Sequence, residues 1–223
     1  MKKLILTACA VTTALGVFAQ GTVAFVNNNA LGTSRVWGPS PSNPGLSLVG
    51  NSATDNPAGT ANYVGAGMLK IGAGGLLGQY GGSTTFAQLL AANGASQPEA
   101  SLLPAGQTTT FRTGSAAGVL ALITSSLGNV PLDAPNATLE VVAWDNSSGN
   151  YPTWTQASVA WAAGLIAAGK SGAFNVAAIG GNVNSPPNFA SPSFNLHTTI
   201  PEPSTFALAG LGAAALLIFC RRK

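Results

Sequence analysis

The clearest chemistry in this sequence lies near its C-terminus, where an acidic residue stands between two prolines. Pro201 and Pro203 fix their own φ angles and bias the residue before each of them toward extended backbone. Glu202 is therefore held in a stiff, extended segment that cannot join a following helix. An exposed acidic peptide of this kind is suited to recognition by a membrane enzyme, and we interpret Pro201, Glu202 and Pro203 as a sorting signal.

The residues after this motif have the length and the charge pattern of a membrane-inserted end. Residues 204–220 carry no charge, and as a transmembrane helix they would cover roughly 25 Å of a hydrocarbon core about 30 Å thick. Arg221, Arg222 and Lys223 form a membrane stop, which keeps the C-terminus cytoplasmic and the body on the other side. Residue chemistry alone leaves open whether this is a permanent single-pass anchor or a temporary handle.

The order of these parts resembles the PEP-CTERM sorting signal of Gram-negative bacteria. The resemblance rests on residues 201–223, with the Pro-Glu-Pro motif, the short apolar stretch and the basic end in the required order. It implies that the chain is a substrate of an exosortase, a membrane cysteine protease-transpeptidase. Cleavage near the motif would deliver the body to the cell surface or to an exopolysaccharide matrix. A tail that holds only until processing tolerates a short span.

The N-terminus has the pattern of a secretory signal peptide. Lys2 and Lys3 precede a mostly apolar stretch over 4–18, and Ala19 ends a plausible cleavage site. We expect residues 1–19 to engage the Sec machinery and to be removed by signal peptidase. The two cysteines, Cys9 and Cys220, lie in the targeting segments, so the mature domain is expected to form no disulfide.

The net charge of +3 comes from these targeting segments rather than from the body. Between residues 20 and 200, four basic residues minus five acidic residues give −1: Arg35, Lys70, Arg112 and Lys170 against Asp55, Glu99, Asp133, Glu140 and Asp145. A nearly neutral domain predicts no nucleic-acid partner. So little charge suits a domain embedded in a matrix and raises the tendency to self-associate.

Within the body, no residues have the spacing of a catalytic or metal site. His197 is the only histidine, and we expect it to be a solvated residue of the neck before the tail. No Gly-x-Ser-x-Gly elbow and no metal-ligand spacing is present, so we expect no enzyme activity, no cofactor and no metal.

Aromatic residues offer the remaining binding chemistry. Trp144, Tyr151 and Trp154, with Trp161 nearby, have the types that form a sugar-stacking platform, although packing of at least half of them in the core is the favoured interpretation. Asp145 is the only carboxylate in the turn over 145–150, which favours a turn over a calcium site.

Short strands and frequent Gly/Pro turns predict a mainly β fold, with a single β-sandwich-like domain and one or two short helices. We divide the chain into a signal peptide (1–19), an exported domain (20–181), a final strand and neck (182–200) and the sorting signal (201–223). The periodicity predicts strands over 22–26, 62–71, 108–112, 137–144 and 174–179, a strand or short helix over 118–124, helices over 83–93 and 154–168, and a long loop over 38–57.

The pattern as a whole predicts an exported surface protein, structural or adhesive, held in an exopolysaccharide matrix. One alternative is a carbohydrate-binding surface module that uses the aromatic residues. The other is a permanently anchored single-pass membrane protein.

Overall fold

The computed structural model describes residues 20–74 and 78–199. The predicted signal peptide with its cleavage site at Ala19 lies outside these residues. So do the Pro201–Pro203 motif, the transmembrane helix over 204–220 and the basic stop over 221–223. In the described part, no helix is long and apolar enough to cross a membrane.

The described chain forms short strands and one α-helix, so the mainly β prediction is confirmed, while the sandwich-like arrangement stays a prediction. Two 3-10 turns, Glu99–Ser101 and Gly114–Ala116, lie between strands. The elements are β1 (Gln20–Phe25), β2 (Asn28–Asn29), β3 (Gly32–Thr33), β4 (Val36–Trp37), β5 (Thr85–Asn93), β6 (Leu103–Thr109), β7 (Ile123–Pro131), β8 (Asn136–Asp145), α1 (Trp154–Ala162), β9 (Ala168–Lys170), β10 (Phe174–Ala177) and β11 (Phe194–Asn195).

The central antiparallel sheet has the order β10-β8-β5-β6, and β9 also pairs with β8. Strand β8 is the strand predicted over 137–144, and it pairs with β5 so that Leu89 lies opposite Val141. Its side chains alternate as predicted, since Leu139 and Val141 join one buried cluster while Val142 and Trp144 join another.

Other elements of the chain cover both faces of this sheet. Val23 and Phe25 of β1 and Leu127 of β7, which form an antiparallel ladder, share a cluster with Leu89 and Leu139. On the other face, Trp154, Ala157 and Ala160 of α1 pack against Trp144 and Val142. Full burial of a large apolar side chain contributes about 1.5–3 kcal/mol, so both contacts are substantial sources of stability.

Strand β5 corrects the helix that the sequence predicts over 83–93. Phe86, Leu89 and Leu90 have helical spacing, but Leu89 packs toward the β1–β7 ladder whereas Phe86 and Leu90 pack toward α1. Because both faces of the sheet are covered, apolar residues occupy both sides of the strand and its two-residue alternation is lost.

The segment over 62–71 is also not a strand, because it forms turns. Its Tyr63 ring stacks on Trp37 with 5.0 Å between ring centroids, and its hydroxyl donates a hydrogen bond of 2.8 Å to the Gly50 carbonyl. Tyr63 is therefore buried by packing within a turn and not by strand pairing.

Three boundaries also differ from the prediction. Strand β6 ends at Thr109 and β7 begins at Ile123, so the predicted strand over 108–112 and the element over 118–124 are displaced, and only an isolated bridge joins Phe111 to Leu120. The helix ends at Ala162 instead of 168, because Gly164 takes a positive φ of 71° and the chain then enters β9.

Candidate functional site

The candidate site is the face that carries the last described residues, 194–199, just before the Pro-Glu-Pro motif; we call this face the exit. Strand β11 runs parallel to β4, with Phe194 opposite Val36, and the Leu196 amide donates to the Trp37 carbonyl at 2.8 Å. Phe194 and Leu196 are fully buried. Within the segment predicted as a final strand and neck, residues 193–196 are therefore part of the core.

Two polar side chains fasten this final segment to the long loop over 38–57. The buried Asn195 accepts a hydrogen bond from the Leu48 amide at 2.7 Å and donates one to the Leu46 carbonyl at 2.9 Å. Asp55 accepts the Ser193 hydroxyl at 2.8 Å, and the same oxygen accepts the Ser52 amide at 2.7 Å. These bonds give the loop its order without regular secondary structure.

The last residues then lie on β9 and on α1. His197 and Ala168 exchange two backbone hydrogen bonds of 2.9 and 3.1 Å, and the Trp161 indole donates to the His197 carbonyl at 2.8 Å. The Thr199 hydroxyl donates to the Trp161 carbonyl. His197 is thus not the solvated neck residue that the sequence predicts, and burial lowers the pKa of its imidazole.

A continuous row of aromatic rings leads from the central sheet to this exit. The ring centroids are 6.1 Å apart for Phe86 and Trp144, 5.8 Å for Trp144 and Trp154, 6.0 Å for Trp154 and Trp161, and 5.1 Å for Trp161 and His197. Since these separations are typical of interacting rings, the row forms one packed unit between the sheet and the chain's exit.

This packing agrees with the favoured interpretation, that at least half of these aromatic residues lie in the core, and it speaks against Trp144 and Trp154 as glycan contacts. Trp144 has no exposed surface, and Trp154 is only 6% exposed, so neither ring offers a face to a sugar. The Trp144 indole donates instead to the Tyr151 carbonyl at 2.7 Å. Of the three predicted glycan contacts, Tyr151 alone keeps partial exposure.

A buried carboxylate lies on the same face of the sheet as Trp144. Glu140 has no exposed surface, and the Lys170 ammonium stands 4.0 Å from its Oε2 and 2.5 Å from Oε1 of Glu99. Burial raises the pKa of Glu140 to about 7, against the opposing effect of Lys170. Lys170 also lies 5.9 Å from the centre of the Trp154 ring, so the charged group adjoins the aromatic row.

Sequence reasoning did not identify this buried charge as a feature. The alternation in β8 places Glu140 on the side of Val142 and Trp144, and that pattern was the available signal. The residue that pairs with it, Lys170, lies on another strand whose position the sequence does not reveal. Among the described residues, no group of three or more His, Cys, Asp or Glu side chains is placed to hold a metal.

The comparisons with known proteins concern the residues that follow this exit. The family model of the PEP-CTERM protein-sorting motif matches residues 199–223. Comparison with curated proteins and with solved structures finds no match. The chain therefore carries a PEP-CTERM sorting motif, which supports a sorted, exported protein that transits the membrane and undergoes exosortase-type processing.

The match overlaps the described part of the chain at one residue. It begins at Thr199, the last described residue, whose hydroxyl bonds to α1.

Proposed function

We propose that the chain is an exported surface protein whose β-rich body is retained in an exopolysaccharide matrix after an exosortase-type enzyme removes its C-terminal tail. The observation that carries the proposal is the sorting motif at residues 199–223, which starts at the last described residue, Thr199. The body then acts as a structural or adhesive component and has no catalytic role.

The chemistry of the body supports a matrix role. Its charge between residues 20 and 200 is −1, from four basic and five acidic residues, so polyanionic or polycationic partners gain little from it. Trp144 and Trp154 are buried. Retention in the matrix would therefore depend on polar and hydrophobic surface contacts rather than on an aromatic sugar platform.

Mass spectrometry of the mature C-terminus tests the processing. We expect the surface form to lack residues 206–223, and we expect the double variant Pro201→Ala/Pro203→Ala to keep them. Pro41→Ala/Pro152→Ala is the matched control, because both prolines are exposed and lie outside the motif. An intact tail in the wild-type surface form would overturn the proposal in favour of a permanent anchor.

Retention in the matrix is tested separately. The processed protein should remain with cells that make exopolysaccharide and appear in the medium of cells that lack it. Equal retention in both strains would contradict the matrix role without affecting the processing.

A further inference from the structure

The short connection to the tail restricts where the domain can lie while the tail is intact. Thr199 is bonded to the Trp161 carbonyl near the end of α1, and the apolar run begins at Phe206, a step of seven residues. At ~3.3–3.6 Å per extended residue this connection spans at most roughly 25 Å. The end of α1 therefore stays within that distance of the hydrocarbon core once the run is inserted.

One surface of α1 and the residues around it is apolar and uncharged. Val159 and Leu165 are each 71% exposed, and they line an open groove of about 450 Å³ together with Tyr151, Thr155 and Ala163. We call this surface the helix face. None of the residues that line the groove is charged, so moving the helix face toward lipid does not remove the hydration of any of these side chains as an ion.

We propose that the helix face rests on the lipid headgroup layer of the membrane in which the tail is inserted. This inference rests on the proposed function, because an inserted tail supplies the proximity. A tether of a few residues gives the second contact a millimolar effective concentration, so a weak apolar contact is sufficient. Tyr151 and Trp161, each half-buried with one polar end, are residue types that favour the membrane interface.

The contact would fix the domain's orientation during processing. Because Thr199 is bonded to the helix that touches the membrane, the Pro201–Pro203 segment would be held along the headgroup layer. A membrane enzyme would then meet the motif at a constant height.

Lipid quenching of a fluorescent label on the full chain tests the contact. In a Cys9→Ser/Cys220→Ser background, the chain is reconstituted in phosphatidylcholine vesicles that carry a headgroup nitroxide. A label at Thr155→Cys reports the helix face, and one at Thr60→Cys, also exposed but in a loop outside it, is the reference. We expect several-fold stronger quenching at position 155, equal in low and high salt because the face is uncharged.

Substitutions on the surface provide matched variants. Val159→Asp/Leu165→Asp should reduce quenching at position 155 to the level of the reference. Val183→Asp should not, although Val183 is 87% exposed. Val183 follows β10, which pairs with the Asn136 end of β8. Strand β9 and His197, which adjoin the helix face, lie at the Trp144 end of β8. These two ends of the strand are roughly 27 Å apart.

A label at Leu216→Cys, read with a nitroxide deep in the acyl chains, separates the two hypotheses. Quenching at position 216 with equal quenching at positions 155 and 60 would overturn the helix-face contact alone. No quenching at position 216 would overturn the inserted tail, and with it the proposed function. Protection of position 155 that grows with the protein-to-lipid ratio would indicate a second copy of the chain and would also overturn the lipid contact.

Discussion

On one face of the central sheet, Leu89, Leu139 and Val141 meet the β1–β7 ladder, whereas on the other face Glu140 and Trp144 meet α1 and β9. The first face, which we call the ladder face, packs aliphatic side chains together with phenylalanine rings, among them Phe25 and Phe194. The second face, which we call the aromatic face, combines aromatic rings and a buried carboxylate, and its Trp161 contacts His197 and Thr199. Phe194 and Leu196 of the final segment belong to the ladder face. Both faces contribute to stability, and the aromatic face in addition connects the sheet to the last described residues, His197 and Thr199.

The largest effect should come from the ladder face. Leu139→Ala should lower the free energy of unfolding by about 2–5 kcal/mol, because it removes buried methyl groups and leaves a cavity. Leu139 has no exposed surface, whereas Leu103 is 58% exposed. Leu103→Ala should therefore change the free energy of unfolding by less than about 0.5 kcal/mol. Urea denaturation measures both, and equal losses would contradict the assignment of the core.

The aromatic face should instead give stability a dependence on pH. Burial raises the pKa of Glu140 from its ordinary value of 4.5 to about 7, so the folded state binds a proton that the unfolded state has released between these values. The stability of the fold that depends on the protonated carboxyl is fully present below the unfolded pKa. It is lost as the pH rises toward about 7. The total change should be on the order of 3 kcal/mol.

Glu140→Gln tests this dependence by keeping the shape and removing the ionisation. The variant should lose the slope between these two pKa values and be more stable than the wild type at higher pH. Glu99→Gln is the control, since Glu99 contacts the same lysine with a side chain that is 55% exposed, and it should keep most of the slope. An unchanged slope in the Glu140 variant would exclude this carboxyl as the source.

A smaller effect should appear where the final segment crosses β9. A Cβ at Gly169 would lie 2.2 Å from the Asn195 carbonyl oxygen. Gly169→Ala should therefore displace the final segment and lower the free energy of unfolding by about 1–3 kcal/mol. Limited proteolysis should then cut within residues 194–199 faster than in the wild type. Gly128→Ala, in strand β7 with its nearest neighbours at 3.7 Å, should leave the cleavage rate unchanged.

The two faces also differ in how far the sequence predicts them. The alternation in β8 predicted which side chains share a face, and the composition predicted a mainly β fold. The helix predicted over 83–93 was wrong, since these residues form strand β5. Both faces of this strand are covered, which removes the alternation that distinguishes a strand from a helix. The exit could not be foreseen either. The bonds from His197 to Ala168 and from Thr199 to Trp161 join residues far apart in sequence, and no local pattern marks them. The Pro-Glu-Pro motif was accessible because its chemistry is contiguous.

The smallest expected effect isolates the bond between the aromatic face and the signal. Thr199→Val removes the hydroxyl that donates to Trp161 and keeps the side-chain shape, so the local loss should be about 0.5–1.5 kcal/mol with little change in global unfolding. Hydrogen exchange of the His197 amide should become faster, since its bond to Ala168 is no longer flanked by a fixed end. Thr198→Val is the neighbouring control, because Thr198 contributes its backbone amide, bonded to the Pro44 carbonyl at 2.9 Å, and that bond survives the substitution. Equal acceleration in both variants would mean that the whole terminus frays as a unit, and the Thr199 hydroxyl would then not be the group that fixes the start of the signal.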